Sequence, residues 1–175
     1  MLDRYTNIIR GIFSGHTHED SFEIIKSRTG DPIPSAIINV IPTIGTYFLN
    51  VGYILRRFHE ENPAFSIFDM DKSTHTLLDY EVRRLYIKEA NEIDRPIWRK
   101  VYRFTEMFQV PNMNYEHYPA ILNKMKTNPT LFEKMVNQLW GEGPRGADLL
   151  KNRGSINNVV KRNSCYEIYA VSLWK

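Results

Sequence analysis

The chain has 175 residues, 42% hydrophobic and 25% charged, a balance typical of a folded globular domain that excludes collagen-like, low-complexity and disordered classes. Its net charge of +3 is too small for a dedicated nucleic-acid binder, and no nucleic-acid partner is expected. The charge is also uneven: residues 1–91 hold 10 basic and 12 acidic side chains, whereas residues 92–175 hold 13 and 8.

Read in chain order, Leu2 to Ile9 has the pattern of the last turns of a helix, followed by a short apolar run from Ile9 to Phe13 that ends before Gly15. Phe22-Glu23-Ile24-Ile25 is predicted as a second strand. Pro32 and Pro34 mark a turn, and Ala36 to Ile41, apolar on both faces, is predicted as a strand buried on two sides. Phe65 to Met70 and Tyr80 to Ile87 supply two further strands.

From Asp94-Arg95-Pro96 the spacing becomes helical, with a capping carboxylate and a proline near the first turn. Ile97, Trp98, Val101, Tyr102, Phe104 and Phe108 then recur as on one helix face, which Pro111 ends. A weaker helix carries Ile121, Leu122 and Met125. Asn128-Pro129 starts another, with the stripe Leu131, Phe132, Met135, Val136, Leu139 and Trp140. Gly141 to Gly146 breaks the chain, and Ala147 to Leu150 opens one more helical segment.

No run approaches the roughly 18 apolar residues of a spanning helix; the best, Ala36 to Ile41, is interrupted by Asn39. Met1-Leu2-Asp3-Arg4-Tyr5 lacks a signal-peptide pattern, and the single cysteine, Cys165, excludes an internal disulfide. Composition alone therefore points to a reducing, cytosolic setting.

One constellation carries chemistry: Phe13-Ser14-Gly15-His16-Thr17-His18-Glu19-Asp20. Two histidines at i and i+2 follow a strand and a glycine, so in extended backbone both rings reach one side. Imidazole is a neutral nitrogen donor suited to Zn²⁺. Taken alone, the pair also fits an ordinary polar loop. His59, His75 and His117 sit among charged or polar neighbours and read as solvated side chains. The basic residues Arg145, Lys151, Arg153, Lys161 and Arg162 could meet an anionic membrane surface or form a solvated helix face.

Gly15-His16-Thr17-His18, followed by an acidic residue and an apolar strand, resembles the final metal-binding motif of the calcineurin-like metallophosphoesterases. The longer stretch Ile9 to Glu23 resembles their acid sphingomyelinase branch. Pro42-Thr43-Ile44-Gly45-Thr46-Tyr47, Asn62-Pro63-Ala64-Phe65, Leu78-Asp79-Tyr80-Glu81, Ala90-Asn91 and Pro96-x-Trp98 are similar to successive segments of that branch. The likeness fades beyond Gly141.

The resemblance implies an α+β chain. Residues 1–91 would be the C-terminal strands of a metallophosphoesterase α/β sandwich, and residues 92–175 a helical C-terminal subdomain. It further implies a binuclear zinc phosphodiesterase in which His16 and His18 each ligate one of two Zn²⁺ ions. The expected reaction is hydrolysis of sphingomyelin to ceramide and phosphocholine, in a lysosomal or secreted setting. Tyr47 would lie in a loop near the substrate pocket, where core packing is the competing role.

The departures from the family matter as much. Its earlier ligand motifs, Asp-x-His, Gly-Asp-x-x-Asp and Gly-Asn-His, should precede Gly15 and do not occur here. Residues 48–61 exceed the usual connection, and Cys165 has no partner. The chain is therefore expected to be a C-terminal piece, inactive without the N-terminal catalytic part. The alternatives are the related nucleotide phosphodiesterase branch and a non-catalytic module that binds lipid or a protein partner.

Overall fold

The computed structural model describes residues 2–15, 18–44, 62–139 and 141–142. A short helix α1 (Leu2–Tyr5) precedes strands β1 (Ile12–Ser14), β2 (Ser21–Ile25) and β3 (Ala36–Val40). Strands β4 (Ala64–Met70) and β5 (Leu77–Leu85), helix α2 (Ile87–Glu92) and strand β6 (Trp98–Arg103) follow. Helices α3 (Phe104–Phe108), α4 (Tyr118–Thr127) and α5 (Pro129–Leu139) complete the order, with a 3₁₀ turn at Tyr115–His117 leading into α4. The described strands form two sheets. In the first, ordered β1-β3-β2, β1 runs parallel and β2 antiparallel to β3. The second, β4-β5-β6, is antiparallel throughout. The fold is α+β, as the sequence suggests.

Strand β3 lies between its two neighbours and is buried on both faces at Ala36, Ile37, Asn39 and Val40. That position explains its nearly continuous apolar run. The polar exception, Asn39, directs its side-chain amide to the carbonyl of Ile12 on β1, at 3.3 Å.

The helix expected from Ile97 is instead β6 followed by the short α3, so the strands continue past residue 91. The reason lies in the ladder between β5 and β6. Val82 pairs with Tyr102 but Arg83 pairs with Lys100, so Val101 is an extra residue with no opposite number. A bulge of this kind interrupts the two-residue alternation. Trp98, Val101, Tyr102 and Phe104 consequently imitate helical spacing. Trp98 is held by an edge-on contact with Phe65 of β4, ring centres 4.9 Å apart.

Helices α4 and α5 form as expected, whereas α2 takes up Ile87, where the sequence pattern predicts the end of a strand; β5 stops at Leu85. Asn128 accepts a hydrogen bond from the backbone N–H of Leu131 at 3.1 Å, capping α5 ahead of Pro129. Met135, Val136 and Leu139 are buried and Leu131 and Phe132 half-buried. Ile121, Leu122 and Met125 of α4 are buried too. The segments 147–150 and Trp140 lie outside the described residues.

These faces converge on the ring of Phe22, which projects from β2. It meets Tyr118 at 5.1 Å, Phe108 at 5.9 Å and Phe104 at 6.2 Å, edge to face in each case. Phe104 in turn contacts Tyr80 of β5 at 5.3 Å. One aromatic cluster therefore joins the first sheet, the second sheet and the helices. Such pairs add about 0.5–1.5 kcal/mol each beyond area burial.

A carboxylate fixes the junction between β6 and α3. Helix α3 has no side-chain cap of its own. Asp79 of β5 instead accepts from the Thr105 N–H at 3.1 Å, the Thr105 hydroxyl at 2.7 Å and Arg103 Nε at 2.8 Å. Arg103 also pairs with Asp69. Burial works against the Asp79 charge, but these donors together with the Tyr80 N–H outweigh it and hold its pKa below the ordinary carboxylate value.

Two outcomes are expected from this packing. Phe22→Ala should lower unfolding free energy by about 3–5 kcal/mol in urea titrations. Asp79→Ala should lower it by about 2 kcal/mol, the scale of hydrogen bonds to a charged group. Because the folded pKa of Asp79 is depressed, its contribution is present above the unfolded value of about 3.9 and is lost as pH falls through the folded value. Asp79→Asn should therefore flatten the acid limb of a stability–pH curve.

Candidate functional site

The histidine motif occupies the connection between β1 and β2. Ser14, at the end of β1, and Ser21, at the start of β2, both lie opposite Val40, at the end of β3. The loop therefore stands at the carboxyl ends of two parallel strands, the edge where open α/β sheets place their ligands. The segment after β3 leaves from the same edge. The Ile41 N–H donates to the Ser14 carbonyl at 2.7 Å, and the Ala64 N–H to the Thr43 carbonyl at 2.8 Å.

Within the loop, the sequence assigns the turn to Gly15. A side chain at Gly15 would meet nothing within 4 Å, and the left-handed conformation falls instead on His18, with φ of 62°. An L-residue there costs roughly 1–2 kcal/mol and persists when its surroundings determine it. The two acidic residues after His18 are unusually buried for their type: Glu19 is 9% and Asp20 2% exposed.

Asp20 is tied to the rest of the molecule from both its backbone and its side chain. Its N–H donates to the carbonyl of Leu139, at the end of α5, at 3.3 Å. Its Oδ2 accepts from the Tyr102 hydroxyl of β6 at 2.9 Å, and that hydroxyl lies 3.0 Å from the hydroxyl of Tyr80 on β5. Burial pushes the Asp20 carboxyl up to about 7, against the Tyr102 hydrogen bond and the charge of Arg84. Burial and the nearby Asp20 carry both phenols well above their ordinary range, so they remain hydrogen-bond donors.

Arg84, fully buried on β5, braces the end of α5 from the other side. Its Nη1 donates to Gln138 Oε1 at 2.7 Å and stands 3.4 Å from Glu142. Glu142 also accepts from Tyr86 at 2.6 Å and from Gln138 at 2.9 Å. The loop carrying the histidines is thus seated on a polar scaffold built by β5, β6 and α5. Nothing local in the sequence marks this scaffold, because its members lie far apart along the chain. The one available signal is a carboxylate, Asp20, set directly before an apolar strand.

Of the residues singled out from sequence, His18 is placed in this loop. His16, Tyr47, His59, the 48–61 segment, Cys165 and the basic run from Arg145 to Arg162 lie outside the described residues. His75 occupies a turn closed by Asp71, and His117 lies 3.7 Å from Glu116, consistent with solvated roles. The loop donors fit zinc in kind, since imidazole is a good ligand. Among the described residues, which do not include His16, no group of three or more His, Cys, Asp or Glu could hold a metal ion.

No family model matches the chain. Among curated proteins it is 27% identical to acid sphingomyelinase-like phosphodiesterase 3b of Mus musculus, over 77% of this chain and 28% of that protein. It is 28% identical to sphingomyelin phosphodiesterase of Bos taurus, over 76% of this chain and 20% of that protein. It is also 28% identical to cyclic GMP-AMP phosphodiesterase SMPDL3A of Homo sapiens, over 66% of this chain and 24% of that protein. The chain thus spans about a quarter of the length of the curated relatives it matches. Across about three quarters of its own length, the chain is thus similar to acid sphingomyelinase-like and sphingomyelin phosphodiesterases.

Proposed function

We propose that this chain is the C-terminal part of a zinc-dependent phosphodiesterase and supplies His16 and His18 to its metal centre. The carrying observation is the position of the Gly-His-Thr-His loop between β1 and β2, braced from behind by β6 and α5. Two zinc ions in the complete site would polarise the phosphoryl oxygens and lower the pKa of an attacking water. The chain's own contribution would be the two imidazoles of the loop that follows β1. Its short span against its relatives supports the view that the remaining ligands belong to an N-terminal part. Alone, the chain would hold at most one ion, weakly, and would not turn over substrate.

Sphingomyelin is the substrate we favour, with ceramide and phosphocholine as products, since relatives bearing the sphingomyelin phosphodiesterase name match over three quarters of the chain. The similarity to a cyclic GMP-AMP phosphodiesterase supports a nucleotide phosphodiester as the second reading. A lysosomal or secreted location belongs to the same proposal. Among the described residues, no helix is long and apolar enough to cross a membrane. Tyr47 near the substrate, and contact of the basic run 145–162 with anionic lipid, are further parts of it.

Calorimetric titration of the chain with Zn²⁺ tests the metal assignment. Binding should be weak and should be lost in His16→Ala and His18→Ala. Neither sphingomyelin nor a cyclic dinucleotide should be hydrolysed by the chain alone. Fusion to the N-terminal part of a related enzyme should restore zinc-dependent hydrolysis, and either histidine substitution should abolish it. Fast hydrolysis by the unaided chain that survives His18→Ala would overturn the proposal.

A further inference from the structure

We infer that Asp20 is a positioning residue for the histidine loop: suspended from Tyr102 of β6, it fixes the backbone that presents His18. The functional consequence rests on the zinc reading above, but the conformational claim does not. Three observations carry it. His18 holds a left-handed backbone, with φ of 62°, a conformation uncommon for a non-glycine residue. Two residues later the chain is pinned at one point from two directions, by the Tyr102 hydroxyl on the Asp20 carboxylate at 2.9 Å and by the Leu139 carbonyl on the Asp20 N–H at 3.3 Å. Immediately afterwards β2 begins, with Ser21 in register opposite Val40.

The side chain of Asp20 is 2% exposed, and Oδ2 is engaged by Tyr102. Its other oxygen is also buried and has no hydrogen-bond partner among the described residues. A carboxylate in such a place is poorly situated to meet a substrate. It is well situated to set the height and direction of the loop above the sheet, because Tyr102 is itself steadied by Tyr80 at 3.0 Å. An apolar residue at position 20 would pack in the same volume but would keep only the backbone bond to Leu139 and lose the tie to Tyr102. Polar groups retained in cores can confer positional specificity of this kind.

The test uses the full 175-residue chain, first without metal. Nuclear magnetic resonance of the wild type should show at His18 the strong intraresidue amide–Hα cross-peak that marks a positive φ, together with slow amide exchange at Asp20. Tyr102→Phe and Asp20→Ala should remove that cross-peak and speed amide exchange at position 20 at least tenfold. Asp20→Asn keeps an acceptor for Tyr102 and should retain both. Leu122→Ala, in α4, should lower the thermal midpoint yet leave both signals unchanged, which separates positioning from general stability. If Asp20→Ala does not fold, Tyr102→Phe decides. In the second arm, zinc titration, Tyr102→Phe should weaken binding about tenfold, the lower range for supporting residues around metal ligands. Wild-type signals at His18 and Asp20 in Tyr102→Phe, or their loss in Asp20→Asn, would overturn the inference. A wild-type chain that binds no zinc would overturn the metal reading alone, and the metal-free arm would still decide the role of Asp20.

Discussion

The structure depends on the ring of Phe22. It leaves β2 one residue after the strand begins and enters a cluster formed by Phe104, Phe108 and Tyr118. Among the described residues the first sheet is three strands wide, and β1 contributes three residues to it. A sheet of this size buries little by itself, and Phe22 attaches it to a larger mass of aromatic and aliphatic side chains. Phe104, which has no exposed surface, extends the contact to Tyr80.

Around that apolar centre lies a set of polar ties that set direction. Asp79 accepts from the first turn of α3, Arg84 grips the end of α5, and Asp20 bears on Tyr102. Each places a charged or ionisable group in or near the interior and engages it with named partners. Together they determine how β5, β6 and α5 stand relative to the histidine loop. The aromatic cluster supplies attraction without direction; these hydrogen bonds supply the angles.

How much could be read from sequence depends on how local each cause is. Strands 22–25, 36–40 and 64–70 and the helices after His117 are driven by apolar spacing or by a cap such as Asn128, and all were legible. Strand β6 was not, because the extra residue Val101 converts its alternation into something close to a helical pattern. The histidine motif was legible as residues set between two strands. Its left-handed His18 was not, since the neighbouring anchor, Asp20, is tied to Leu139 and Tyr102 far along the chain. Gly15 illustrates the same limit: glycine suggests a turn, yet the backbone placed its unusual angle three residues later.

The bond between Tyr102 and Asp20 spans 82 positions of sequence. It ties a loop between the first strands to a strand that the sequence pattern assigns to the following region. The strands that flank the histidine loop and the helical region are therefore not interchangeable modules. Recombination near residue 91 that joined these strands to a foreign C-terminal region would separate the loop from both Tyr102 and Leu139, even with every histidine kept. Exchange between lineages would preserve the loop only where the incoming segment already offered a hydroxyl and a carbonyl at matching heights. Sequence drift in β6 is thus constrained by a loop that it never touches along the chain.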